Sequence, residues 1–415
     1  MVLSRMSTLF NGKSVPNLKI AIIGAGPASL TLAAILHRHK IAFTIYEAST
    51  ELRHSGGTLD LHPEGGQQAL REAGLWDQFV KYARPEADCT KVVDMETGEV
   101  FWDENTVDGH HAQEKSVDGS MNGRPEIDRE WLVKITYGAL PEESVRWGMK
   151  LLEVRPHAAD EKKHDLHFAD GTIEEACDLV VGGDGAWSKV RNLLTDVKPA
   201  YSGISAIELW RNDIASDPWL LNYVGAGSCF AFAQDSAIIS QRQGDGGLRT
   251  YGCLRVPETF ISQCGINWDD NDTAVENFLD RCFSTIAPDL KRVLASSKDK
   301  VVPRILYELP IGFSYPHHPG VTLIGDAAHV MTPFAGVGVN VGMKDALVLA
   351  QEIIASCDGK KTLDEAVSEY EKELWPRAKK YMEKTEEGKD RHFRAGGSRE
   401  MAEMLRGFHA GQKSE

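Results

Sequence analysis

The sequence predicts an α/β protein: a mainly parallel sheet interrupted by a mostly antiparallel one and closed by a C-terminal helix. Three observations predict it. Residues 18–23 (LKIAII) are an almost unbroken aliphatic run, the pattern of a strand buried on both faces of a parallel sheet, and such runs return at 178–181 and 321–324. Residues 30–40 carry apolar side chains at helical spacing and 43–46 read as the next strand, which makes one strand–helix–strand unit. From about residue 200 to 315 the pattern changes to period-2 segments such as Ala231-Phe232-Ala233 and Ala237-Ile238-Ile239-Ser240 between glycine turns.

The elements follow in order. Residues 1–17 read as a flexible N-terminal extension, 18–199 and 316–360 as the first domain, 200–315 as an inserted β-sheet domain, and 361–415 as a bridging C-terminal helix and tail. Within the first domain, a helix is expected at 66–80 and a mobile acidic loop near 103–123. A second helix is expected at 128–138, with Asp128 as N-cap. Residues 145–181 read as short strands around the turn Asp170-Gly171. A long helix is expected at 339–357 and a charged one at 362–389, which Pro376 should kink or interrupt.

Composition narrows the function. At roughly 150 residues per domain, 415 residues make two or three domains, and 42% hydrophobic with 26% charged residues is the make-up of an ordinary globular enzyme. With 46 basic and 61 acidic residues, the net charge of −15 argues against nucleic acid and anionic membrane as partners. Seven cysteines without a C-x-x-C pair read as reduced thiols, and with no signal-type or membrane-spanning run the expected location is the cytoplasm. No heptad pattern calls for an oligomer, so a monomer is expected. His62, His329 and the pair His110-His111 lack metal-ligand spacing and read as surface or loop histidines; no metal is expected. Hydrolytic signatures (G-x-S-x-G, H-E-x-x-H, a P-loop) are absent.

The chemistry lies in glycine turns that follow strands. In Gly24-Ala25-Gly26-Pro27-Ala28-Ser29 the first glycine permits the tight turn and the second lets the backbone approach a pyrophosphate, which the helix N-terminus then binds. Ser29 stands where a third glycine is usual. Glu47, at the end of the second strand, can accept hydrogen bonds from a ribose. Together they read as a Rossmann-like dinucleotide site. Gly325-Asp326 offers a carboxylate to a second ribose or a ribityl chain. The glycines of Pro333-Phe334-Ala335-Gly336-Val337-Gly338 bring a helix N-terminus close to a ring system, where its partial positive charge would stabilise an anionic reduced flavin. There is one such fingerprint, hence no separate domain for NAD(P)H.

Gly24 to Ser29 with Glu47, Gly183-Asp184-Gly185 after a strand, and Gly325-Asp326 with the Pro-Phe-Ala-Gly stretch resemble the three nucleotide-contacting motifs of the class A FAD-dependent monooxygenases of the para-hydroxybenzoate hydroxylase type. The strings Gly56-Gly57-Thr58-Leu59-Asp60-Leu61-His62, Asp184 to Arg191 and Gly325 to Asn340 are most similar to its tetracycline-inactivating branch, the TetX-type destructases. The resemblance implies a Rossmann-like FAD-binding domain with an inserted antiparallel substrate domain. It implies FAD held by Gly24, Gly26, Pro27, Ala28, Glu47, Arg129, Asp184 and Asp326, and a flavin ring near Leu59, Asp60, Pro333, Gly336, Gly338 and Val339. It further implies NADPH as a transient co-substrate and O₂ captured as a C4a-hydroperoxide that hydroxylates an electron-rich carbon of a polycyclic small molecule.

The inserted sheet is expected to wall the substrate cleft with Glu208, Trp210, Gln241, Arg242 and Tyr251, chosen by strand position and chemistry, opposite Pro333 and Phe334. Trp187 and Trp210 also read as packing residues. Where the destructases offer a Gln, an Arg and a His to tetracycline, the matching positions here are Glu208, Ala237 and Thr250, so a phenolic or polyketide-like polycycle is the broader expectation. A flavin-dependent reductase or dehydrogenase, and a non-catalytic FAD-binding protein, remain the alternatives.

Overall fold

A computed structural model describes residues 18–52, 56–106 and 123–412, preceded by the paired two-residue strands Leu9–Phe10 and Lys13–Ser14. The rest of the expected N-terminal extension, His110-His111 and residues 107–122 of the expected loop lie outside the described residues.

Five strands form the parallel sheet in the order Val321–Leu323, Leu179–Gly182, Ile20–Ile23, Thr44–Tyr46, Val145–Arg146. Every neighbour pair is parallel. The central strand is buried at all four positions, as an all-aliphatic run covered on both faces requires. Helix Pro27–Arg38 connects it to the next strand and has proline in its first turn, where the missing N–H costs nothing. A three-stranded meander over residues 151–177 turns at Asp170-Gly171.

The second sheet has seven strands in the order Lys300–Glu308, Ala200–Arg211, Leu248–Arg255, Ser236–Arg242, Ser228–Ala233, Thr90–Asp94, Val100–Asp103. The last two belong to sequence well before residue 200, so the sheet is not built from 200–315 alone: Ser228 to Phe232 pairs in parallel with Thr90 to Asp94. One face packs Ile207, Leu209 and Ile238 against Phe278 and Leu290 of two covering helices. The other turns Ala206, Phe232, Ala237 and Cys253 towards Phe334 and Phe393.

Several helices depart from expectation. Residues 66–80 do not form one helix: a π-helical turn Pro63–Gln67 and helix Gln68–Glu72 are separated from Trp76–Tyr82 at Gly74, whose φ of +72° favours glycine. Asp128 precedes helix Arg129–Gly138 without capping it, because its carboxylate accepts Arg84 Nη2 at 3.1 Å and Gly244 N–H at 2.9 Å. Helix Leu363–His392 runs through Pro376 uninterrupted. The lost backbone hydrogen bond is offset by burial of Tyr370, Leu374, Ala378 and Met382. The expected tail is helical over Gly397–Gln412 and leans on the second sheet, where His409 Nε2 meets Glu104 at 2.7 Å.

All seven cysteines are unpaired and none is exposed. Among the described residues no helix is long and apolar enough to cross a membrane, and no group of three or more His, Cys, Asp or Glu is arranged to hold a metal.

Candidate active site and cofactor cradle

The three glycine turns meet at the carboxyl end of the parallel sheet. Gly24 has φ +92°, and a Cβ there would lie 2.6 Å from Gly183 O, so only glycine lets the first turn pass beside the Asp184 turn. Ser29 fits the third position because Gly183 offers it no side chain: a Cβ at 183 would collide with Ser29 Oγ. On the other side Ala28, Gly325 and Gly342 pack so closely that a Cβ on Gly342 would lie 3.2 Å from Gly325 Cα. This brings the N-terminal turns of helices Pro27–Arg38 and Gly338–Cys357 side by side.

Around this junction the chain leaves a cradle. A Cβ on Gly26, Gly185 or Gly338 would meet nothing within 4 Å. Asp184 Oδ2 accepts the Lys189 N–H at 2.6 Å, whereas its Oδ1 is buried without a hydrogen-bond partner, and burial holds the carboxyl above its ordinary pKa. Asp326 is exposed between buried neighbours at the start of helix Asp326–His329. Glu47 is buried and accepts the N–H groups of Ala25 (2.7 Å) and Ser49 (2.8 Å), so it holds the first turn from below. An orphaned acceptor, open glycines and an exposed carboxylate at adjacent helix N-termini fit a dinucleotide such as FAD.

Strand Thr58–Asp60, paired with Glu126–Asp128, carries Leu59 half-buried opposite Ile127 and Asp60 opposite Glu126. Asp60 Oδ2 lies 3.0 Å from His62 Nε2, and its Oδ1 would be 3.6 Å from a Cβ on Gly336. Asp60 therefore borders the Pro333–Ala335 turn, where Pro333 and Gly336 are exposed and Val339 is half-buried. The side chain of the exposed Arg129 runs across Gly56, where a Cβ would lie 2.5 Å from its Cδ.

Residues 17–385 match the model of a family described as an FAD binding domain. This chain belongs to the FAD-binding monooxygenase family. It is 32% identical to "Monooxygenase asqM" of Emericella nidulans over 431 residues, covering 88% of this chain and 94% of that protein. The solved structure of Klebsiella pneumoniae HpxO complexed with FAD and uric acid has TM-score 0.74 at 20% identity, covering 92% of this chain and 91% of that one. Tetracycline destructase Tet(51) gives TM-score 0.65 at 18% identity, covering 94% of each chain. The structural likenesses show the fold; family and relative together make this chain an FAD-dependent monooxygenase.

In this monooxygenase the second sheet meets the FAD domain at Gly57, where a Cβ would lie 2.7 Å from Tyr251 Oη and 3.5 Å from Gln241 Oε1. Strand alternation puts Gln241 and Tyr251 on the face that also carries Phe230 and Ile239. Arg242, one step further along, points the other way and donates to Gly225 O at 3.4 Å. Glu208 and Trp210 are engaged within the sheet: Glu208 accepts Trp210 Nε1 at 2.8 Å and Arg304 Nε at 3.0 Å, and Arg249 and Lys300 lie over the Trp210 ring. Phe334 is buried against His392 and Phe393. Trp187 is exposed and edge-on to Tyr307. A cavity of about 330 Å³ between Glu308, Ile311, Met331 and Met382 lies apart from these residues.

Four supporting residues escaped the sequence reading. Asn340 accepts His62 N–H (2.7 Å) and donates to Asp60 O (2.8 Å), which locks the Asp60 strand to the helix. Arg191, fully buried, donates to Ala327 O and Ala186 O. His329, expected at the surface or in a loop, is fully buried with its Nε2 2.6 Å from Asp345. The available signal was a polar residue on the buried side of an apolar helix, which Asn340 and Asp345 both are.

Proposed function

We propose that this FAD-dependent monooxygenase takes electrons from NADPH and hydroxylates an aromatic, polycyclic small molecule of the phenolic or polyketide type. The observation that carries the reading is the meeting of Tyr251 and Gln241 with Gly57, which sets a half-apolar sheet face over the strand and turn that border the flavin position. FAD, when bound, supplies the oxygen-transfer chemistry. Glu47, Asp184, Asp326 and the Gly24 and Gly338 helix termini hold it, Phe230 and Ile239 give the substrate an apolar surface, and Tyr251 and Gln241 orient its polar groups. The sheet keeps bulk water from the reacting centre.

A tetracycline-type substrate is the narrower form of this reading, supported by the fold shared with Tet(51). The contacts argue for the broader class: Thr250 is buried and bonded to Ser240 on the far face, Ala237 is buried, and Glu208 is held by Arg304. The purified chain is expected to be yellow, and a phenolic polycycle should accelerate both NADPH oxidation and O₂ uptake and gain one oxygen atom by mass spectrometry. NADPH oxidation that no such compound stimulates would overturn the proposal. Incubation with tetracycline in the same assay decides the narrower form.

A further inference from the structure

We propose that Asp345 is a positioning residue for the FAD-binding turn, and that Arg377 makes the C-terminal helix part of the same device. Asp345 lies within helix Gly338–Cys357 with no exposed surface. Its Oδ2 accepts the Gly325 N–H at 2.9 Å and faces His329 Nε2 at 2.6 Å; its Oδ1 accepts Arg377 Nη2 at 3.0 Å. Gly325 and His329 bracket Asp326. One carboxylate therefore fixes both ends of the segment that presents the exposed Asp326 side chain.

A carboxylate has about four acceptor sites, and three here are filled, two from the Gly325–His329 segment and one from the C-terminal helix. Burying this group is costly, and an apolar cluster of equal volume would hold the helices together at least as well. What the apolar cluster lacks is a fixed position for the Gly325 amide. Burial works against charge on His329, but the Asp345 carboxylate outweighs it and holds the ring above its ordinary pKa, which keeps the turn's far end bonded.

The C-terminal helix grips the same stretch on both sides. Tyr370 Oη donates to Leu323 O at 2.8 Å, Thr322 Oγ1 donates to Glu371 at 2.9 Å, and Thr385 Oγ1 donates to Thr332 O at 2.9 Å. Arg377 reaches Asp345 between these points, so the distant helix is mechanically continuous with the flavin-binding turn.

The test dilutes full-length holoenzyme and follows the flavin fluorescence that appears on FAD release, with visible circular dichroism of the bound flavin as a second readout. Asp345→Asn and Arg377→Met are expected to raise the FAD Kd about tenfold, 1.4 kcal/mol, and to alter the flavin dichroism. Arg377→Lys, which keeps the charge, should recover most of the loss. Glu352→Gln, which breaks an ion pair with Lys361 outside this cluster, should leave Kd unchanged. Variants that lose thermal stability yet keep the wild-type FAD Kd and dichroism would reduce the cluster to packing and overturn the proposal. Should Asp345→Asn not fold, Arg377→Met decides alone, and a wild-type Kd there overturns it.

Discussion

Arg191 donates to the carbonyl of Ala327 at 2.8 Å, one residue past the Asp326 carboxylate, and also to the carbonyl of Ala186, two past Asp184. One buried guanidinium thus joins two turns that are 142 residues apart in the chain (326 − 184). Arg191→Met leaves both carbonyls without this donor. We expect a loss of about 3 kcal/mol, measured by urea unfolding of the full chain.

Asp326 should be needed for the cofactor and dispensable for the fold. Its side chain is exposed and buries no apolar surface. Asp326→Ala should weaken FAD binding about tenfold through loss of a charge-assisted hydrogen bond, while the melting temperature of the apoprotein stays within about 2 °C. Unchanged FAD affinity in an equilibrium titration would refute this placement.

Gly57→Ala should separate substrate from cofactor effects. The new methyl carbon would sit 2.7 Å from Tyr251 Oη but 3.9 Å from its Cζ. The ring must move, so we expect a rise of about fivefold in substrate KM, roughly 1 kcal/mol, with FAD affinity unaltered. Because the clash needs the hydroxyl, Gly57→Ala should add nothing to the KM of Tyr251→Phe in steady-state assays of the double variant.

Stability should change with pH in two opposite ways. Burial, opposed by Arg84 and Thr58, pushes the Glu126 carboxyl up to about 8 from an ordinary 4.5. Its contribution is complete below about pH 4.5 and lost as pH rises through 8, because the folded state binds the extra proton. Glu126→Gln should flatten that alkaline decline in denaturation curves.

His392 acts on the acid side. Burial, with Arg391 adding to it, lowers its pKa to about 4 from 6.5 while the ring stacks on Phe232 at 4.1 Å. The unfolded state binds the proton more tightly, so stability falls as pH drops from 6.5 through 4. His392→Phe keeps an aromatic ring in place and should remove this component of acid unfolding, on the order of 3 kcal/mol.

What could be read from the sequence was what is locally determined. The strand Ile20–Ile23, its glycine turn, the following helix and Glu47 lie within 28 residues (20 to 47), and each carries its own periodicity or turn chemistry. Alternation along Ser236–Arg242 was legible too, and it already sets Arg242 out of phase with Gln241, so the two could not both face the cleft. Glu208 illustrates the other limit: its partner Arg304 is 96 residues away, so its engagement has no local mark. The pairing of Thr90–Asp94 with Ser228–Ala233 is illegible for the same reason, and Pro376 does not interrupt its helix because packing outweighs one missing N–H.

That pairing bears on protein engineering. A chimera that exchanges only residues 200–315 with a relative would remove Ser228–Ala233 and leave the Thr90–Asp103 hairpin to pair with a foreign strand or stand as an open edge. Specificity grafts in this scaffold need two excisions, one from each side of the Asp184 turn in sequence, carried across as a unit.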